Sequence, residues 1–273
     1  MEVENYMSTK QKAEDPKKIL PDIKNIKSQE TYTLPSKGLV YEENENIPAS
    51  ITLRRMTTKE DKIRMRNETE DKIRRDILQA CIMNEGVDAG RLKLADANFL
   101  LFRLRSISLL NDIYKVQVTC PFCNTVFIHE IELSKVPIEY FSEDKKTDMS
   151  IVLPYSNIKM NLKYPSLSNM INMGEKLREY FDQFPNVDKT EAIYTTSAML
   201  YIKNINDQIL TNEELEDLID SLDILDNRAF RKKLQEIDAL YGIRTDIEGQ
   251  CPECKNIVKH GLPITSELFY PSL

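Results

Sequence analysis

Two short stretches far apart in the chain constrain its fold more than anything else: Cys120-Pro121-Phe122-Cys123 and Cys251-Pro252-Glu253-Cys254. Each is a Cys-Pro-x-Cys turn flanked by alternating residues that read as strands. Two thiolates separated by two residues reach one ion from a tight turn, and two such pairs supply the four soft ligands of a tetrahedral zinc site. If both pairs share one ion, everything between residues 123 and 251 is held in a closed loop. The two halves match beyond the sulfurs. Placing Cys120 on Cys251 puts Cys123 on Cys254, Val126 on Ile257, His129 on His260 and Ile131 on Leu262, and the chain has only those 2 histidines. The predicted fold is α+β: a β-rich base with a split four-Cys zinc ribbon, and a helical lobe inserted between the two knuckles.

Other chemistries also use paired cysteines. A thioredoxin-like dithiol needs one pair at a helix N-terminus, whereas both pairs here lie between strands. An iron–sulfur cluster takes the same four ligands. Disulfides belong to oxidising compartments. Met1-Glu2-Val3-Glu4 has no basic stretch leading into an apolar one, so a reducing, cytosolic setting is expected. The strand-flanked turns favour structural zinc on Cys120, Cys123, Cys251 and Cys254. Four thiolates leave no position open for water, so the ion is expected to hold structure and not to act on a substrate. His129 and His260 are alternative ligands or strand residues on the knuckle surface, and the closed four-Cys set favours the second. Cys81, in a helical pattern beside Leu78 and Ile82, reads as a buried free thiol.

The chain is long enough for one large domain or two smaller ones. Its net charge of -7 argues against nucleic acid as the main partner, because phosphate binding relies on clustered Lys and Arg. With 7 glycines and no Gly-rich phosphate motif, a nucleotide loop is not expected. No apolar run has the length of a membrane span. Both histidines sit in the knuckles and no carboxylate pair stands out by spacing, so no catalytic residue is assigned and an enzyme is not expected.

Residues 1–30 are polar and aperiodic and read as a flexible arm with a short helix near Pro16–Ile26. The base is expected over 31–165 and 243–273. Thr31–Tyr41 reads as strand, exposed Pro35-Ser36-Lys37-Gly38 turn, and the start of a second strand. Ile51–Met56 alternates as a strand. Thr57 with Glu60 forms a capping box opening a helix that runs to about Met83, with a break near Asn67–Thr69. A further helix spans Asp96–Leu109, with Arg103 and Arg105 on a solvated or salt-bridged edge. Strands Tyr114–Thr119 and Val126–Leu133 frame the first knuckle. Ser150–Leu153 and Ile158–Tyr164 form a second hairpin. The lobe, 166–242, reads as helical throughout, in segments 167–183, 188–203, 212–221 and 226–241, with a capping box at Thr211 and Glu214. Strands Thr245–Gln250 and Ile257–Ile264 frame the second knuckle.

Leu34-Pro-Ser-Lys-Gly-Leu-Val-Tyr41, Ile51-Thr-Leu-Arg-Arg-Met-Thr-Thr-Lys-Glu-Asp61, Leu94–Arg105 with Ser106-Ile107-Ser108, and the first Cys pair together resemble a baseplate protein family of contractile-tailed phages. Those relatives are the hub subunit or hub-assembly proteins of T-even-type phages. The ending Leu262–Pro271 shares the likeness, which is good over 30–125, moderate over 243–273 and loose across the lobe. The resemblance implies a non-enzymatic structural or assembly component of the tail baseplate. It would bind other baseplate or hub proteins and the tail tube or tape-measure end, and be assembled into the virion in the host bacterial cytoplasm. The competing reading is a nucleic-acid-associated zinc-ribbon accessory factor, which needs a basic ribbon. Lys255, Lys259 and His260 near one knuckle are offset by Glu130 and Glu132 near the other.

Overall fold

The computed structural model describes residues 29–109, 112–145 and 147–269. The segment 1–28, with the short helix expected in it, lies outside the described residues. β1 (Gln29–Thr33) starts two residues inside the stretch read as the arm and pairs antiparallel with β2 (Ser50–Arg54), Tyr32 opposite Ile51. Alternation in β2 sends Ile51 and Leu53 fully into the core.

The chain between these strands departs from expectation. Leu39–Tyr41 does not begin a strand, because Lys37 (φ 53°) and Gly38 (φ 78°) are both left-handed and break the pleat. A Cβ on Gly38 would come within 3.3 Å of the Ala49 backbone. Pro35 and Ser36, expected to be exposed, are buried, and the turn's tip exposes Lys37 and Leu39.

α1 (Thr58–Arg64) is capped by Thr57 and Glu60 as the sequence indicates, and the chain breaks before α2 (Glu70–Cys81). Cys81 is buried. α3 (Leu94–Leu109) is apolar almost all round, which marks a helix buried on every side. Phe99, Leu100, Leu101, Phe102 and Leu104 are each at most 1% exposed, and the first core is built about them with Ile51, Leu53, Ile77 and Leu78.

Arg105 corrects the sequence reading. It is fully buried rather than solvated. Its guanidinium donates to the carbonyls of Leu268 (2.5 Å) and Ile113 (3.0 Å) and lies over the Tyr114 ring. Arg103 lies over the rings of Tyr32 and Phe99.

β3 (Ile113–Thr119) and β4 (Val126–Glu132) form the first knuckle hairpin, and β5 (Ile138–Glu139) follows. β6 (Ser150–Val152) and β7 (Lys159–Leu162) form the expected second hairpin. α4 (Leu167–Gln183) opens with a Ser166–Asn169 capping box, and α5 (Lys189–Met199) follows. The stretch read as one helix over 188–203 instead ends at Met199, and β8 (Ile202–Ile205) adds antiparallel to β7. The region is therefore not helical throughout. Asn206 and Asp207, both left-handed, turn the chain after β8. α6 (Asn212–Asp220) carries the Thr211–Glu214 capping box. α7 (Ile224–Asp238) is capped by Asp223, two residues ahead of the expected start.

A second core gathers Met160 and Leu162 of β7, Ile202 and Ile205 of β8, and Phe230, Leu234 and Ile237 of α7. It draws in the β6–β7 hairpin from ahead of residue 166, while Leu167 and Ile171 of α4 pack into the first core. Asp226, fully buried, ties the second core together. Its carboxylate accepts the Tyr155 and Ser156 N–H groups at 2.7 and 3.0 Å, closing the β6–β7 turn. Burial would raise its pKa, but those donors outweigh it and leave the carboxyl below its ordinary value.

The chain returns through β9 (Gly242–Ile243), which pairs with β5. Arg244 N–H also donates to the Pro137 carbonyl at 2.9 Å. That short junction sets the second knuckle hairpin, β10 (Asp246–Gln250) and β11 (Ile257–Gly261), beside the first.

Candidate metal centre

Both knuckles use the same local geometry. In the first, Cys120 N–H donates to the Thr125 carbonyl (2.9 Å) and Asn124 N–H to the Cys120 carbonyl (2.9 Å). In the second, Cys251 N–H donates to the Asn256 carbonyl (3.0 Å) and Lys255 N–H to the Cys251 carbonyl (3.1 Å). The turn is closed by a left-handed residue in each, Asn124 (φ 59°) and Lys255 (φ 61°). Strand registers correspond as well: Thr119 faces Val126 as Gln250 faces Ile257, and Val116 faces His129 as Ile247 faces His260. The likeness seen in the sequence is thus a likeness of backbone.

The four sulfurs converge from both hairpins, and the two hairpins meet sulfur to sulfur. Cys120 Sγ lies 3.6 Å from Cys254 Sγ, and Cys123 Sγ lies 3.6 Å from Cys251 Sγ. All four lie within 4.8 Å of one another. Zinc–sulfur bonds of about 2.3 Å in a tetrahedron place sulfurs about 3.8 Å apart, so the cluster has the dimensions one ion requires. No pair is bonded as a disulfide. Cys120 and Cys251 are fully buried against Val118 and Val258, whereas Cys123 faces solvent.

Groups beside the sulfurs also correspond. Thr125 Oγ lies 3.3 Å from Cys123 Sγ, and Asn256 Nδ2 donates to Cys254 Sγ at 3.4 Å. Contacts from the Thr125 hydroxyl and N–H bring the Cys123 thiol down to about 6, while burial pushes Cys120 up to about 11. One thiolate is therefore available at neutral pH to begin binding, and the cation would favour loss of the remaining protons. Sequence reasoning missed Thr125 and Asn256, although each stands two positions after the second Cys of its knuckle.

The histidines meet each other and not the sulfur cluster. His129 Nδ1 and His260 Nε2 are 2.7 Å apart, with their rings edge-on at 83°. Gly249 makes room for this contact, since a Cβ there would meet the His129 ring at 2.8 Å. Burial and the neighbouring His260 both lower the pKa of His129, which favours its neutral ring.

The sequence matches the family described as T4 bacteriophage base plate protein over residues 27–269. The chain belongs to that family. The match includes both knuckles and everything between them, so the baseplate protein carries its cysteine cluster within the family region and not on an appendage. No curated protein and no solved structure matches this baseplate protein. Among its described residues, no helix is long and apolar enough to cross a membrane.

Proposed function

We propose that the protein is a non-enzymatic structural or assembly component of the tail baseplate, acting through contacts with other hub subunits and with the tail tube or tape-measure end. One Zn2+ on Cys120, Cys123, Cys251 and Cys254 joins the two knuckles of its β-rich base. The second core is built from the segment between them, with the β6–β7 hairpin, β8 and the helices that pack on it. The family match over nearly the whole described chain carries this reading. The sulfur geometry supports the ion, because four convergent thiols form a closed ligand set.

The ribbon's charges favour protein partners over nucleic acid. Lys115 pairs with Glu130 and Lys259 with Glu248, each at 3.1 Å, and Lys255 folds back onto the Pro252 carbonyl. A phosphate backbone would have to displace these partners to use the lysines. Affinity purification from infected cells, with mass spectrometry of mature particles, tests the role. Recovery with hub proteins supports it, and retention in the particle places the work in the virion. Recovery with nucleic acid alone, and with no tail protein, would sink it. Elemental analysis of the purified chain should give about one zinc per molecule.

A further inference from the structure

Between α4, the start of β8 and the start of α6, the second core opens into a hollow of about 260 Å3. Its lining includes apolar Met173, Met199 and Leu210, and it also carries Lys163, Lys176 and Lys203. No carboxylate lines it, in a chain with 44 acidic residues against 37 basic ones. Lys93, Lys115, Lys159 and Lys259 all have carboxylate partners, but among the described residues these three have none. Lys163 is half-buried, and burial together with Lys93 and Lys203 draws its pKa down. Gathering like charges in a partly dry recess is unfavourable, and nothing within the hollow offsets it.

We infer that this hollow binds an acidic residue set among apolar neighbours on a partner protein, its carboxylate met by Lys163, Lys176 and Lys203. The ammonium groups supply charge-assisted hydrogen bonds. Met173 and Leu210 offer an adaptable surface for the adjoining apolar side chain. A phosphate would use the lysines and leave that surface uncovered, and a net charge of -7 repels a polyanion at long range. A peptide therefore fits better than a nucleic-acid backbone. The inference rests on residues separate from the cysteine cluster and is tested on the purified chain, so its failure is distinct from failure of the baseplate role.

The test titrates full-length protein, labelled with 13C at its methionine methyls, with acetyl-Leu-Glu-Leu-amide, acetyl-Leu-Gln-Leu-amide and inorganic phosphate. The Glu peptide should shift the Met173 and Met199 signals saturably, and the Gln peptide should bind at least about tenfold more weakly. Lys163→Met should reduce that discrimination without lowering the melting temperature, since it relieves like-charge repulsion. Lys203→Gln, at an exposed position, provides the same readout independently of the fold. Equal binding of the two peptides, stronger binding of phosphate, absence of any shift, or full discrimination in both variants overturns the inference.

Discussion

Asp96 shows how one buried side chain organises a loop. It lies in the first turn of α3, accepts Ser36 N–H at 3.0 Å and the Tyr41 hydroxyl at 2.8 Å, and is fully buried. Burial raises its pKa to about 6, against the opposing pull of its donors. In the unfolded chain the carboxyl titrates near its ordinary value of 3.8. The folded state therefore holds more protons between these values, and this group's contribution to stability grows as pH falls from above 6 toward 4. Wild type should gain on Asp96→Asn by up to about 3 kcal/mol over that window, about a quarter of it between pH 7.5 and 5.5 and most of it below, so denaturant titrations at pH 7.5 and 4 measure it. A difference that stays flat with pH would refute the buried acid. Arg105 works similarly at the other end of α3. Arg105→Met leaves the Leu268 and Ile113 carbonyls without their donor and should cost on the order of 3 kcal/mol, with faster proteolysis near residues 262–269. Neither role was legible in the sequence. Asp96 looks like an ordinary first-turn acid, and Arg105 like a charge on a helix edge; their partners lie up to 163 positions away.

At the scale of elements, the two knuckles were legible because their signals are local: the paired cysteines mark each turn and alternation marks its strands. Cross-hairpin pairing of the sulfurs makes the joint interdependent. Cys251→Ser, or chelation of the wild type, should increase hydrogen exchange in both β3–β4 and β10–β11 and lower the melting temperature. Loosening confined to the second hairpin would mean that each knuckle stands alone. The histidine contact adds a pH dependence. The folded pKa of His129 is depressed, so its contribution is present above the ordinary value of 6.5 and is lost as pH falls toward the lowered one. His260→Gln should flatten that part of the melting profile between pH 7.5 and 5.5, because Gln keeps a polar partner but removes the imidazole that helps to lower His129. β8 escaped the sequence for the opposite reason. It is four residues long, its apolar positions continue the helical spacing of α5, and only pairing with β7 reveals it.

Across the whole molecule, two hydrophobic cores share one chain, and they do not divide at a single residue. α4 starts in the first core, and the β6–β7 hairpin belongs to the second. Periodicity could not show this, because an amphipathic helix does not announce which core receives its face. Phe230, fully buried in the second core, offers a test. Phe230→Ala should cost about 3–5 kcal/mol, raising exchange in α7 and β6–β8 while leaving zinc uptake by the purified chain unchanged. Loss of ion binding would show that the cores unfold as one.

The duplicated knuckle has a kinetic consequence. Each hairpin can form by itself early, because its contacts are near neighbours in sequence. Bringing the two together requires the ends of the segment 124–250 to meet, and the entropy of closing so long a loop falls on that one step. Ordering the intervening core beforehand brings the ends close and removes most of that cost. An ion held by all four sulfurs would therefore mark the completion of folding rather than its beginning, since a chain that held it would already have ordered the segment between its knuckles.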